Sequence, residues 1–347
     1  MNELVVRAVT FFTRRVADEK DLRRELEKGV GTVDIVAREL RGMGYEVFTK
    51  RISLANFQPG WLEVVLDYVD PDILISIGYD ANRLDFDFIL EAVSNGIYVP
   101  LTSPREMSYE EALRYSELIH RASSLDLTAP TRISIGFHGV EFKTPYFPDS
   151  SSDGEESLGL AFIYPHMLKG GVEQGVKRVF GEIEAVASFV SKIAELRVLV
   201  DYSLSPWMEK SVVSLLEHMG FGLQGPGSLY GIRYLNLLIE KYARKDLATG
   251  FNQVMLPYAE DNELKKMGEM GLVRARDFVK YSSACVAGVD MVVVPWDPGE
   301  LAKLILDTYV VSEIKKRPIA LRAIPAPGKP GDKVALGKFG EASIIPY

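Results

Sequence analysis

The sequence contains a single cysteine, Cys285. One thiol forms no internal disulfide and no cysteine-based metal cluster. No stretch of ~18 apolar residues occurs, so no segment has the length and apolarity of a membrane-spanning helix. An excess of basic charge is missing too. Forty Lys and Arg stand against 48 Asp and Glu, for a net charge of −8 and a pI near 5.3. The longest basic cluster, Lys315, Lys316 and Arg317, lies at the end of an expected helix, where it complements the helix dipole. Without a basic face there is nothing to neutralise phosphates, so nucleic acid is excluded as a partner. Amides are scarce, with seven Asn and four Gln. That hints at a thermophile on composition alone, although Met is not depleted. The opening MNELVVRAVTFFTRR has its acid first and its arginines last. This is the reverse of a signal peptide, so a cytoplasmic protein is expected.

What is present is a chain of 347 residues, 47% of them hydrophobic. That length suits one barrel or one doubly wound sheet, and a single unit over 1–347 is expected. Strand-like and helix-like runs alternate almost throughout. Leu4–Phe12, Tyr45–Ser53, Ile73–Tyr79, Tyr98–Thr102, Ile133–Val140, Leu158–Tyr164, Leu196–Asp201, Phe251–Leu256, Met291–Pro295 and Ile319–Ile324 read as strands. Helices are expected at Asp18–Met43, Trp61–Tyr68, Leu84–Ala92, from the Ser108/Glu111 capping box, at Val172–Ile193, from Ser205-Pro206, and at Tyr230–Tyr242, Arg274–Ala284 and Leu301–Ile314. Such alternation predicts an α/β fold of about ten mostly parallel strands with helices outside. Periodicity alone does not choose between a barrel and an open sheet. The polar run Asp149–Ser157 carries no apolar period and is expected as a flexible loop.

Five patterns follow one another in order: Thr144-Pro145-Tyr146-Phe147-Pro148; Asp201-Tyr202-Ser203-Leu204-Ser205-Pro206; Met255-Leu256-Pro257 with Glu260-Asp261; Ser282 to Asp290 around Cys285; and Arg322 to Asp332, rich in Pro and Gly. With the N-terminal strand–helix–strand, they make the chain resemble the uncharacterised pyruvate-formate-lyase-like family known as domain of unknown function 711. The resemblance implies a ten-stranded α/β barrel. It has no settled activity to lend. The chain departs from the family pattern at Pro295-Trp296-Asp297, where members tend to have Pro-Gly-Asp, and its glycine region Gly337-Lys338-Phe339-Gly340-Glu341 is not a clean glycyl-radical sequence. Gly340 is followed by a charged residue and lies close behind Cys285, and the chain is about half the usual length of such enzymes. A working glycyl-radical enzyme is therefore not expected.

Candidate catalytic residues are Asp201, Glu260 and Asp261, which follow expected strands, and Cys285. In α/β folds the strand C-terminal edge carries chemistry, and carboxylates there serve as bases or cation ligands. Each has a plainer reading. Asp261 or Asn262 caps the next helix, Asp201 is a satisfied loop carboxylate, and Cys285, with no histidine near it in sequence, packs as a small apolar residue. Candidate ligand-binding residues are Ser203, Ser205, Arg322, Lys329, Asp332 and His138. Arg322, Lys329, Lys333 and Asp332 read either as a wall for an acidic substrate or as a rigid, salt-bridged turn. Gly225-Pro226-Gly227-Ser228 before a helix reads more simply as a tight turn than as a phosphate cradle. His138 with Glu141 lacks a third zinc ligand, so no metal site is assigned. Asp290 is expected to pair with backbone or an arginine. Trp207 and Trp296 fit a core or a pocket wall equally.

Two functional classes emerge. One is an enzyme acting on a small polar or anionic metabolite at the strand C-terminal edge. The other is a non-catalytic ligand-binding or scaffold protein on the same fold. The expected partner is a small-molecule ligand, no cofactor is named by the residues, and a homo-oligomer is compatible with either class.

Overall fold

A computed structural model describes residues 3–78, 85–103, 106–137, 142–286 and 288–347. The first half alternates β1 (Val5–Phe12), α1 (Glu19–Gly42), β2 (Glu46–Ser53), α2 (Leu62–Leu66), β3 (Ile73–Ser76), α3 (Phe86–Ser94), β4 (Val99–Thr102), α4 (Tyr109–Leu125) and β5 (Ile133–Gly136). After a long connection come β6 (Ser157–Ile163), α5 (Val172–Ala194) and β7 (Val198–Asp201). Four helices follow: α6 (Val212–His218), α7 (Ser228–Tyr242), α8 (Asn262–Glu269) and α9 (Ala275–Ser282). The chain then runs through β8 (Val292–Pro295), α10 (Pro298–Lys315), β9 (Ala320–Leu321) and β10 (Ala323–Ala326), and ends in the hairpin β11 (Lys333–Ala335) and β12 (Glu341–Ser343). Among the described residues no helix is long and apolar enough to cross a membrane.

The elements pair as a mixed α/β protein. One sheet has the order β3-β2-β1-β6-β7, a second β4-β5-β9, and a third β10-β8. β1, β2 and β3 are parallel, as are β4 with β5, β6 with β7, and β8 with β10. β6 runs antiparallel to β1, and β9 antiparallel to β5. The first five strands therefore run one way, and β6 with β7 the other. Single bridges join the sheets: Ser76 with Tyr98 between β3 and β4, and Leu204 with Val254 beyond β7.

Helices cover the outer faces. α1 starts where Asp18 accepts the Asp21 N–H at 2.8 Å, replacing a bond the first turn cannot make internally. Its Leu22, Leu26, Val33, Ala37 and Leu40 repeat at helical spacing and are fully buried against the sheet. Each Leu or Val among them contributes about 1.5–3 kcal/mol on burial. Gly29 lets α1 approach closely, since a Cβ there would come within 2.9 Å of the Phe11 ring. α4 carries the expected Ser108/Glu111 capping box.

Three expectations need correction. No helix starts at Ser205-Pro206. The Ser205 hydroxyl donates to Phe162 O and accepts from Tyr146, and α6 begins only after Ser211, which caps it. Among the described residues Phe251–Leu256 pairs through isolated bridges at Val254 and Met255 rather than as a regular strand, and the Asn236 side chain takes the Val254 N–H at 2.8 Å. The polar run from Asp149 is buried over its first four residues. Its serines are consumed there, with Ser150 donating to Ser53 Oγ and Ser152 to Thr13 O, so hydroxyls that read as solvent-seeking serve as internal partners.

Candidate functional site

The site begins with an irregularity in β1. Its pairing with β6 shifts register between Val6 and Ala8. Leu4, Val6, Val9 and Phe11 join the main core, whereas Ala8 packs with Tyr146, Phe251 and Met255. Alternation thus breaks at one extra residue, Arg7, which faces the same side as Ala8. A bulge re-aims a side chain in this way. Arg7 Nη1 donates to Pro206 O at 2.9 Å, and Nη2 to the Glu260 carboxylate. Its guanidinium lies 5.4 Å from the Trp207 ring centre and 5.6 Å from that of Tyr146.

Arg51 is one step away on β2. In the β1–β2 register Ala8 stands beside Thr49 and Thr10 beside Arg51. Arg51 Nε donates to Thr49 Oγ1 at 2.9 Å and Nη1 to Pro145 O at 2.8 Å, with the guanidinium 5.0 Å over the Phe147 ring. Among the described residues it has no carboxylate partner. Burial, then the neighbouring Arg7 charge, push its pKa down to about 10, which still leaves it charged at neutral pH.

Arg322 sits at the break between β9 and β10. It holds Asp290 in two bonds, Nε to Oδ1 at 2.5 Å and Nη2 to Oδ2 at 2.9 Å, and its Nη2 reaches Glu260 Oε1 at 3.2 Å. Such forked geometry is the strong form of the Arg–carboxylate pair. Glu260 therefore bridges Arg7 and Arg322. Burial alone would raise its pKa, but the two guanidiniums outweigh that and hold it below the ordinary value. Asp149, just beyond Phe147-Pro148, is buried and its pKa is pushed upward, with Arg322 opposing.

Arg7, Arg51, Glu260 and Arg322 line a cavity of about 420 Å³ with Tyr98, Phe147, Trp207, Phe339 and Lys338; Asp149 and Asp290 lie on a small space beside it. Arg7, Leu74, Tyr98 and Thr131 all lie near the starts of β1 and β3–β5. Glu260 and Trp207 follow the oppositely directed half. The cavity is thus at the N-terminal ends of the first five strands, not along one common C-terminal edge, because the two halves run in opposite directions.

Of the residues singled out in the sequence, the structure brings together Glu260 and Arg322, with Asp290 and Trp207 beside them. Ser205 borders the same cluster, whereas Asp201, Ser203, Asp261, Cys285, Lys329 and Asp332 line neither space. Asp201 is fully buried and accepts five hydrogen bonds, from Thr144, twice from Ser203, and from the Phe251 and Asn252 N–H groups. A Cβ on Gly250, at φ +73°, would come within 2.2 Å of its Oδ2. Its carboxylate, with Ser203, is spent on stitching three segments together. Asp261 caps α8 through the Glu263 N–H and takes the Val212 and Val213 N–H groups at the start of α6. Ser205 accepts from Tyr146 and lines the small space beside the cavity together with Glu260 and Arg322.

Cys285 is fully buried, and burial pushes its thiol up to about 12. Its carbonyl accepts from Lys315, itself pushed down to about 8 by burial. Lys329 and Asp332 form an exposed turn in which Asp332 accepts the Lys329 N–H at 2.9 Å, and Lys333 pairs with Glu269. His138 and Glu141 lie outside the described residues. Gly340 is exposed at the turn before β12. Among the described residues no three His, Cys, Asp or Glu are grouped to hold a metal.

Sequence reasoning passed over Arg7, Arg51, Asp149 and Lys338. The first had a readable signal, one arginine inside the apolar strand run VVRAVTFF; Arg51, beside Lys50 in TKRIS, had none. A charge embedded in a buried strand requires a partner or a ligand.

The architecture and this site define a mixed α/β protein with an arginine-lined cavity between strand ends. Residues 165–337 match the family model described as Uncharacterised ACR (DUF711). A UPF0210 protein from Methanopyrus kandleri is 32% identical over 236 residues, covering 60% of this chain and 49% of that protein. One from Lacticaseibacillus casei is 30% identical over 184 residues, covering 49% and 40%. One from Lactobacillus helveticus is 29% identical over 235 residues, covering 60% and 50%. The chain spans about half the length of the curated relatives it matches. The family match includes Trp207, Glu260, Asp290 and Arg322; Arg7, Arg51 and Asp149 precede it.

Proposed function

We propose that this chain binds a small anionic metabolite, bearing a carboxylate or phosphate, in the arginine-lined cavity. The observation that carries the reading is Arg51. It is a buried guanidinium beside a second one, facing a cavity, with no carboxylate among the described residues to neutralise it. Arg7 and Arg322 share Glu260 and Asp290, so Arg51 keeps a positive charge that no carboxylate bonds and that an anion would offset. A forked guanidinium suits carboxylate or phosphate oxygens, and the aromatic walls lower the local dielectric and so strengthen the attraction.

The non-catalytic reading has its own support. Of the four candidate catalytic residues only Glu260 lines the cavity, and its double ion pair leaves it no freedom to move a proton. Catalysis by the other three would require side chains that are already occupied in helix caps, a loop clasp or the core.

The ten-stranded barrel of the pyruvate-formate-lyase type is part of this proposal. Two facts support closure: the Ser76–Tyr98 bridge between the first two sheets, and the bonds that link β7 through Val254 to Val286 and from Val289 to Arg322. In such a barrel the cavity would open at one mouth.

The test is thermal and calorimetric titration with phosphate, citrate and small carboxylates, on the wild type and on Arg51→Met. Bound anion at a hundredfold excess over Kd stabilises the wild type by about 2.7 kcal/mol. Arg51→Met loses that response. Its unliganded stability stays within about 1–2 kcal/mol of wild type or rises, because an unpaired buried charge is removed. An equal response of both proteins to every anion overturns the proposal.

A further inference from the structure

We infer that the anion taken by this cavity is borne on a planar aromatic ring, so that the ligands are aromatic carboxylic acids and aryl phosphates. The inference rests on the anion-binding reading and narrows it to one class of acid.

The cavity of about 420 Å³ falls in the range of about 300–1,000 Å³ that holds whole small molecules. A bare carboxylate or phosphate occupies only part of it, so the ligand has a body as well as a charge. Five of the fifteen residues that line the cavity are aromatic, namely Phe48, Tyr98, Phe147, Trp207 and Phe339. Aromatic residues make up only 10% of the chain, so rings are concentrated at this wall. They form two groups. Phe48 and Phe339 meet Trp207 edge-on, with ring centres 5.6 and 5.9 Å away and planes inclined at 71° and 62°. Tyr98 and Phe147 have centres 5.4 Å apart and planes at 55°. Among the described residues no ring of the wall lies flat against another.

Each group of rings is tied to a guanidinium. Arg51 lies 5.0 Å over the Phe147 ring, and Arg7 lies 5.4 Å from the Trp207 ring centre. Arg51 already donates from Nε and Nη1, which leaves Nη2 for an anion. An acid held by Arg51 therefore has its body within reach of Phe147. The two threonine hydroxyls of the wall donate to backbone, Thr49 to Arg7 O at 2.8 Å and Thr131 to Thr128 O at 2.6 Å, so they do not call for a polyhydroxylated body. An aromatic body offers what the wall can use. Its edge carries partial positive charge and its face partial negative charge, and inclined or offset ring contacts are favourable beyond the area they bury. A saturated ring of the same size offers area alone.

The experiment compares acids that differ only in ring saturation: benzoate with cyclohexanecarboxylate, 3-phenylpropionate with 3-cyclohexylpropionate, and phenyl phosphate with cyclohexyl phosphate. Affinities are measured by calorimetry on wild type, Trp207→Leu, Phe147→Leu and Trp207→Phe. The readout is the ratio of aromatic to saturated affinity within each pair, which a change in charge or stability common to both members leaves alone. The saturated member is the more hydrophobic, so a merely apolar wall gives ratios of one or below. We expect the aromatic member of at least one pair to bind wild type about 3- to 10-fold tighter. The ratio approaches one in Trp207→Leu or in Phe147→Leu, and it persists in Trp207→Phe, which keeps a ring. Ratios at or below one for every pair in wild type overturn the inference even if no variant folds, and so does a preference that survives both leucine substitutions. If phosphate or citrate binds and the aromatic acids show no advantage, only this inference falls. If no acid binds and Arg51→Met changes nothing, the anion reading falls and takes this one with it.

Discussion

Arg7 and Glu260, 253 positions apart in the chain, meet as a buried ion pair, and Arg322 closes on the other oxygen of the same carboxylate. One acid therefore ties the first strand to the last strands. Removing it leaves two guanidiniums facing each other in a medium that screens poorly.

Glu260→Gln is accordingly expected to lower stability by about 3–5 kcal/mol, the usual cost of orphaning a buried charge. Urea unfolding with an unchanged m-value measures it. The same substitution makes the cavity more positive, so phosphate should rescue more stability in the variant than in wild type. A loss below about 1 kcal/mol, within the range of an exposed pair, contradicts the bridging role.

Asp201→Ala should also destabilise by about 3–5 kcal/mol, because five donors lose one acceptor. Anion affinity in the folded fraction should stay at the wild-type value. Loss of binding with intact stability would put Asp201 back in the site and contradict its role as a clasp between Thr144, Ser203 and Asn252.

Cys285 should react with a thiol reagent only as fast as the protein unfolds. Its thiol is fully buried and pushed up to about 12, while the thiolate is the reactive form. Absorbance at increasing urea follows the reaction. Rapid labelling of the native protein refutes the burial. Exposed Gly340 and buried Cys285 also lead us to expect no glycyl doublet by electron paramagnetic resonance after co-expression with activases.

The acid limb of stability should depend on Asp21. The Arg14 guanidinium donates to it at 2.6 and 3.0 Å and the Ala17 N–H at 3.2 Å. These bonds hold its carboxyl down to about 2 against burial. A depressed carboxyl stabilises the fold above its ordinary value of 3.8, and the contribution is lost as pH falls through the folded value. The stability gap between wild type and Asp21→Asn should thus be full at pH ~5 and shrink toward pH ~2. A gap that stays constant over that window removes Asp21 from the acid transition.

Much of the scaffold was legible locally. The Asp18 cap, the Ser108/Glu111 box and the buried stripe of α1 are set by residues three to seven positions apart, and short-range hydrogen bonding and helical period suffice to read them. The same local logic correctly raised a cap at Asp261 and an arginine partner for Asp290. It erred at Ser205, whose hydroxyl has distant partners on Phe162 and Tyr146, and over Phe251–Leu256, where a side chain on α7 takes the Val254 N–H.

The sequence by itself determined that the chain is an α/β protein with one thiol and no basic face, and it marked Glu260 and Arg322 as polar groups after strands. Only the tertiary structure decided that these two share a site with Arg7, Arg51 and Asp149, and that Asp201 and Asp261 do not. The physical reason is range. Helix caps and strand periods arise from neighbours along the chain. The aim of Arg7 depends on a one-residue bulge against β6, and its meeting with Glu260 depends on which strand ends the sheets bring together. Whether a buried carboxylate is free or spent depends on donors that arrive from three separate segments.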